Sequence, residues 1–270
     1  MTEHQAAPLP AFPWRDGPTS KRFAHRVALV TGAGGAGIGG AIAARLASEG
    51  ASIVAVDTHG PRVEGAATQL CDRYGVPVLA YTLDVADRPA VDAMLAEATA
   101  QLGPIDVLVN NAAVNPQGSV WSYDPDQFDE VIDVDLNACW YLIRQTVWPM
   151  RELGRGSIVN IGSIAAYNGG RGREAPYSAA KAGLHEVTRS VAIEVGPYNI
   201  RCNAIAPGLV MSKFVEKHWE RFQADRDTTP LRRHAWPEEI ANVAAFLISD
   251  ESSFITGEVV VVSGGSFLRA

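Results

Sequence analysis

A chain of 270 residues, 47% of them hydrophobic, can build one large core without a second domain, and its net charge of −7 argues against a general nucleic-acid surface. The three cysteines, Cys71, Cys139 and Cys202, have no metal-ligand spacing, and their odd number suggests no disulfide framework. These cysteines fit a cytoplasmic protein without a metal, and no apolar run is long enough to span a membrane.

Residues 1–22 carry Pro8, Pro10, Pro13 and Pro18, which forbid a long helix, and they lack the basic start and apolar stretch of a secretion signal. They read as an extended arm, pinned by Phe12 and Trp14, ahead of a single domain over 23–270. Val27-Ala28-Leu29-Val30 is short, branched and apolar enough to be a buried strand. Glycines then crowd the stretch from Gly32 to Gly40, and the alanine-rich run over 41–47 reads as a helix. Strand, glycine turn and helix together let the backbone approach a pyrophosphate, which the free N–H groups and positive end of the helix then hold.

The next strand, over 52–56, ends on Asp57, near the spacing of roughly 20 residues at which an acid bonds the adenosine ribose. A carboxylate there accepts from the 2′- and 3′-hydroxyls of NAD and repels the 2′-phosphate of NADP. No Arg or Lys stands between Thr31 and Gly40, and none follows Asp57 until Arg62, so NAD is the expected cofactor. Beyond Asp57 the pattern predicts a helix over 63–74, a strand over 78–83 closing on Asp84-Val85, a helix over 89–102 and a strand over 105–109 ending on Asn110-Asn111. A long helix over 126–151, a strand over 156–161, a helix over 175–195, a strand over 200–205, a helix over 238–249 and a strand over 258–262 complete it. Strands separated by helices imply an α/β, doubly wound, Rossmann-type fold: a mostly parallel seven-stranded sheet, helices on both faces, ligands at the strands' carboxyl ends.

Two stretches carry the chemistry, Ile161-Gly162-Ser163 and Tyr177-Ser178-Ala179-Ala180-Lys181. On a helix Tyr177 and Lys181 stand at i and i+4 and share one face. Bringing a phenol from its ordinary pKa of about 10 toward 7 needs roughly 4 kcal/mol. A neighbouring ammonium and the positive ring of oxidised nicotinamide are the kind of field that supplies it. Tyr177 would then be general base on an alcohol or general acid on a ketone, with Ser163 hydrogen-bonding the reacting oxygen.

With these residues the sequence resembles the short-chain dehydrogenase/reductase family in its single-domain form, from about Arg26 to the C-terminus, and among its members the 3-oxoacyl-thioester reductases. The resemblance rests on Thr31-Gly32…Gly37-Ile38-Gly39, Asp84-Val85, Asn110-Asn111-Ala112, Ser163, Tyr177/Lys181, Pro207 to Ser212, and Ile255-Thr256-Gly257 before Ser263-Gly264-Gly265. It implies Gly32, Gly37 and Ile38 at the phosphates, Asp84 and Val85 at the adenine, and Asn111 along the cofactor. It also implies Val210 at the nicotinamide carboxamide with Ser212 beside it, a contact of Lys181 with the nicotinamide ribose, and a homotetramer.

Three departures stand out. Four residues separate Gly32 from Gly37 where the family usually has three, and the Ser163 to Tyr177 spacing is one residue longer than usual. The family's catalytic asparagine belongs where this chain has Asp135, on an apolar stripe with Val131, Cys139 and Leu142, so the carboxylate must be paired, hydrated or protonated. Asn137, two residues on, points about 200° away on a regular helix and is a poor substitute. The segment 213–222, in the place of the family's substrate lid, contains His218, which reads as a solvated residue. Phe214, Trp219 and Phe222 there, with Arg221, Arg226, Arg232 and Arg233, suit an apolar small-molecule substrate with an anionic end. The leading expectation is hydride transfer between NAD(H) and a secondary alcohol or ketone. A non-catalytic NAD(H) sensor and an epimerase or dehydratase on the same scaffold stand as alternatives.

Overall fold

The computed structural model describes residues 21–170, 172–212, 215–216 and 219–268, without the side chains of 219–221. The strands β1 (Val27–Thr31), β4 (Val107–Asn110) and β5 (Gly156–Ile161) are buried at every position, the signature of strands covered on both faces. With β2 (Ser52–Asp57), β3 (Val78–Thr82), β6 (Ile200–Pro207) and β7 (Val259–Val262) they form one seven-stranded sheet of order β3-β2-β1-β4-β5-β6-β7. Every pairing in it is parallel.

Because side chains alternate along a strand, the sheet feeds two cores. Ala28 and Val30 pack with Ile42, Leu46, Val63 and Ile240, from α1 (Ile38–Ser48), α2 (Gly60–Tyr74) and, late in the chain, a helix over Pro237–Ile248. Val27 and Leu29 pack on the other face with Val91, Met94, Leu142 and Ala192. Those come from α3 (Arg88–Leu102), α5 (Ala138–Leu153) and α7 (Ala175–Val195). Between α3 and α5 lies α4 (Pro125–Ile132); α6 (Ala165–Asn168) precedes α7, α8 is Trp219–Thr228, and the Pro237–Ile248 helix is α9.

Two boundaries differ from the sequence reading. Residues 1–20, with Phe12 and Trp14, lie outside the described residues, but Arg22 already belongs to the domain. Its guanidinium pairs with Glu49 at 2.5 Å and Glu251 at 2.9 Å, beside the buried Phe23. The helix expected over 126–151 is interrupted: α4 runs into a π-helical turn, Asp133–Asn137, before α5 begins. A π turn carries an extra residue, which no periodicity argument anticipates. Here it turns both Val134 and Asp135 inward, while Asn137 stays exposed and donates to Asp133 Oδ1 at 2.8 Å.

A buried polar chain ties the centre of the sheet to α7. Asn110 Nδ2 donates to Asn160 Oδ1 at 2.9 Å, and Asn160 Nδ2 donates to Thr188 Oγ1 at 2.9 Å. Thr188 in turn donates to the Leu184 carbonyl at 2.7 Å. Hydrogen-bonded chains of this kind set the lateral position of a helix that apolar contacts alone would allow to slide. Asn160→Leu strips partners from Asn110 and Thr188, and should destabilise the protein by about 2–3 kcal/mol. Urea unfolding measures this; an unmoved midpoint would show that the chain of amides contributes nothing.

Candidate active site

The chain runs outward from β1 through β2 to β3 and then returns to β4 on the other side of β1, so a crevice opens at their carboxyl ends. The glycine turn sits in it. Thr31 Oγ1 accepts from the N–H groups of Asn111 (2.9 Å) and Ala112 (3.0 Å), and Asn111 Nδ2 donates to the Thr31 carbonyl at 2.8 Å. These bonds fasten the end of β4 to the start of the turn, where Gly32 has φ +66°. The turn itself is packed backbone on backbone. A Cβ at Gly39 would strike the Gly32 carbonyl and Asn111 Nδ2, and one at Gly40 the Gly35 carbonyl. By contrast nothing lies within 4 Å of a Cβ built at Gly35 or Gly37. Gly37 is the N-cap of α1 and no side chain caps it, so that helix end faces open space.

Asp57 closes the other side of the turn: Oδ2 accepts from Gly34 N–H at 3.0 Å and Oδ1 from His59 N–H at 2.9 Å. With Gly32, Asp84, Val85 and Asn111 it lines a cleft of about 450 Å³, into which Arg62 also reaches. An anion-holding helix end, an acid one strand away and a cleft between them fit a dinucleotide such as NAD(H).

A second cavity of about 490 Å³ contains Ser163, Tyr177, Val210 and Ser212 together, with Asn115, Glu174, Phe222 and Asp225 around them. Ser163 follows β5, and its Oγ accepts from Ala165 N–H at 3.0 Å. Val210 is held by a bridge to Ala235, and Ser212 Oγ accepts from Val215 N–H at 3.2 Å. Lys181 Nζ stands 5.5 Å from the centre of the Tyr177 ring and 3.2 Å from Asp135 Oδ2. Burial lowers the lysine's pKa, but Asp135 foremost, together with Tyr177 and Cys139, outweighs this and leaves it raised. Burial likewise raises the Asp135 carboxyl, opposed in part by Lys181 and by the Val114 N–H.

The phenol does not follow the sequence expectation. Burial raises the Tyr177 pKa; Lys181 and a hydrogen bond with Ser163 oppose that, and Asp135 and Glu174 reinforce it. Asp135, in contact with the lysine, and Glu174, near the phenol, work against the field that a Tyr/Lys spacing suggests. The lid arginines also point elsewhere. Arg226 pairs with Asp227 at 2.9 Å, Arg232 donates to the Asp227 carbonyl, and Arg233 pairs with Glu239 at 2.6 Å. None of these three lines the cavity, whereas Glu174 and Asp225 do, so the described residues offer an anionic substrate end no cation. Phe222 does face the cavity; Phe214, His218 and the side chains of Trp219 and Arg221 lie outside the described residues.

Two residues escaped the sequence reading. Glu174, the N-cap residue of α7, is buried and accepts from Asn115 Nδ2 at 2.7 Å. His185, one turn beyond Lys181 on α7, lies where a side chain at Gly162 would have to go, which is why a glycine precedes Ser163. Only the lengthened loop before Tyr177 hinted at the first, and nothing hinted at the second. Among the described residues no group of three or more His, Cys, Asp or Glu could hold a metal, and no helix is long and apolar enough to cross a membrane.

Comparison with known proteins agrees with this fold. A family model described as enoyl-(acyl carrier protein) reductase matches residues 32–266. Human dehydrogenase/reductase SDR family member 4 is 38% identical over 248 residues, covering 90% of this chain and 88% of that protein. L-Sorbose reductase from Gluconobacter frateurii, solved with NADPH and L-sorbose, superposes with a TM-score of 0.88 at 32% identity, over 92% of this chain and 98% of its own. A 3-oxoacyl-[acyl-carrier protein] reductase from Brucella melitensis with bound NAD gives 0.85 at 33% identity, over 93% and 94% of the two chains.

The contrast among the glycines is testable. Gly39→Ala, with backbone in its way, should prevent folding or cost several kcal/mol. Gly37→Ala meets nothing and should cost the free protein about 1 kcal/mol or less, while raising the Kd for NADH about ten-fold or more by blocking backbone approach. Thermal unfolding and fluorescence titration read the two effects. Tight NADH binding by Gly37→Ala would remove the glycine turn from the cofactor site.

Proposed function

We propose that this chain, which belongs to the short-chain dehydrogenase/reductase family, transfers a hydride between NAD(H) and a secondary alcohol or ketone, with Tyr177 as general acid/base. The observation that carries this reading is that Ser163 and Tyr177 line one cavity at the same sheet edge as the glycine turn, with the Lys181 ammonium buried 5.5 Å from the centre of the Tyr177 ring. A protein that only sensed NAD(H) would have no use for a phenol hydrogen-bonded to a serine above a buried ammonium.

When bound, the nicotinamide supplies or takes up the hydride. The chain does the rest. The turn at Gly32 and Gly37 and the first turn of α1 from Ile38 hold the pyrophosphate, Asp57 the adenosine ribose, and Asp84 and Val85 flank the adenine. Asn111 keeps the turn in shape, Lys181 holds the nicotinamide ribose, and Val210 and Ser212 border the carboxamide. Ser163 Oγ donates to the substrate oxygen and orients it. Tyr177 Oη gives that oxygen its proton in reduction and takes it back in oxidation.

Asp57 supports NAD over NADP, since a 2′-phosphate would meet a carboxylate already fixed by two backbone donors. Its neighbours include Arg62, a cation that could receive the phosphate once the acid is gone. The same reading includes a homotetramer in the cytoplasm, with the exposed Trp140 and Trp148 of α5 as interface material.

Two measurements test it. Tyr177→Phe should lower kcat for ketone reduction by a factor of about 10²–10⁴ while NADH affinity changes little; near-normal turnover would send the proton elsewhere. Wild-type kcat/KM should be higher with NADH than with NADPH by about ten-fold or more, and Asp57→Ser should narrow the gap. Equal efficiency in the wild type would rule out the NAD assignment.

A further inference from the structure

Asp135 is built into the fold more firmly than a chance acid on a helix. The π turn swings it inward, and Val114 N–H donates to its Oδ1 at 2.8 Å. That leaves Oδ2 facing Lys181 Nζ at 3.2 Å, with side-chain exposures of 0% and 2%. One carboxylate oxygen is thus fixed by the loop after β4, and the other holds the ammonium next to Tyr177.

The charged and titratable groups around Tyr177 come from four directions. Lys181 is one turn further along α7, Asp135 comes from the π turn, and Glu174 immediately precedes α7. Asp225 reaches the same cavity from α8. Cys139, on the first turn of α5, donates to the Asp135 carbonyl at 3.5 Å, and burial pushes its thiol up to about 11, so it stays neutral. Among the described residues of this set Lys181 is the only cation, and Asp135 pairs with it at contact distance. In a site with little water a contact ion pair acts on a third group as a dipole, much weaker than a free ammonium. The phenol therefore meets a lysine whose field Asp135 partly offsets, with Glu174 working in the same direction as Asp135.

We propose that Asp135 is a positioning residue that biases the site toward ketone reduction: by holding and neutralising Lys181 it keeps Tyr177 in its protonated, donating form at neutral pH. This rests on the reading of Tyr177 as general acid/base. In reduction the ketone receives a hydride at carbon and the Tyr177 proton at oxygen, and the phenolate recovers a proton from solvent. Alcohol oxidation needs the phenolate first, and so becomes efficient only at alkaline pH. The raised pKa of Tyr177, to which Asp135 contributes, agrees with this.

Asp135→Asn tests the charge while keeping an oxygen for the Val114 N–H, and Asp135→Ser is a smaller neutral alternative should the amide misfold. Tyrosinate ultraviolet absorbance is titrated in wild type and variant, each against its own Tyr177→Phe baseline. The Tyr177 midpoint should fall by about one pH unit in either variant. The midpoint of the kcat profile for alcohol oxidation should fall with it, raising oxidation at pH 7 about ten-fold relative to reduction. A purely structural role would depress rates at every pH without moving either midpoint, and that result, or a midpoint that rises, overturns the proposal. The absorbance titration needs no turnover. Failure to reduce any ketone would overturn the reductase reading, while the tyrosinate midpoint would still decide what the Asp135 charge does.

Discussion

A parallel sheet covered on both faces leaves polar groups few places to stand, and this constraint organises the molecule. Strands β1, β4 and β5 are buried throughout, so a charged or reacting group cannot sit within their length without a partner. The exceptions are mostly paired: Asn110 Nδ2 donates to Asn160 and Asn160 Nδ2 to Thr188, while Asn110 Oδ1 has no hydrogen bond. Chemistry is displaced to the carboxyl edge, where the chain turns from strand to helix and backbone N–H groups become available. Both the dinucleotide cleft and the reacting cavity lie along that edge.

The interior polar groups also have a mechanical consequence. The Asn110–Asn160–Thr188 chain joins β4 and β5 to α7, the helix that carries Tyr177 and Lys181. Ser163 follows β5 directly, and Gly162 before it yields room to His185 of the same helix. Serine, tyrosine and lysine are therefore referenced to one another through buried contacts rather than through a loop. Such anchoring would hold the three side chains in register, as the proposed proton transfer requires.

Electrostatics distinguishes this site from what its motifs alone imply. A Tyr/Lys pair one helical turn apart suggests a phenol easily ionised by its neighbour. With Asp135 in contact with the ammonium and Glu174 also close, the balance tips, and burial decides the direction. The cavity has the same bias: Glu174 and Asp225 face it while Arg226, Arg232 and Arg233 bond to groups outside it. An arginine count in a lid segment says nothing about where the guanidinium groups end up, because acids nearby in sequence, such as Asp227 and Glu239, capture them first.

Local pattern was sufficient for everything that depends on neighbours in sequence. Apolar runs and alternating helices determined a seven-stranded parallel sheet. The glycine turn after β1, Asp57 at the end of β2, Ser163 after β5 and Tyr177 with Lys181 on one helix were all legible as a set. Contacts between distant segments were not. The apolar stripe had already placed Asp135 inward and Asn137 away from it; what left no mark in the spacing was the π turn, which tertiary packing decided and which turns Val134 inward beside Asp135. The pairing of Asp135 with Lys181 joins residues far apart in the chain, and so do the Asn115 bond to Glu174 and the seat of His185 under Gly162. Sequence determined which candidate groups stand at the sheet edge. Tertiary structure decided their charge balance, because in a buried site a pKa follows from which groups are brought within a few ångströms, whatever their separation along the chain.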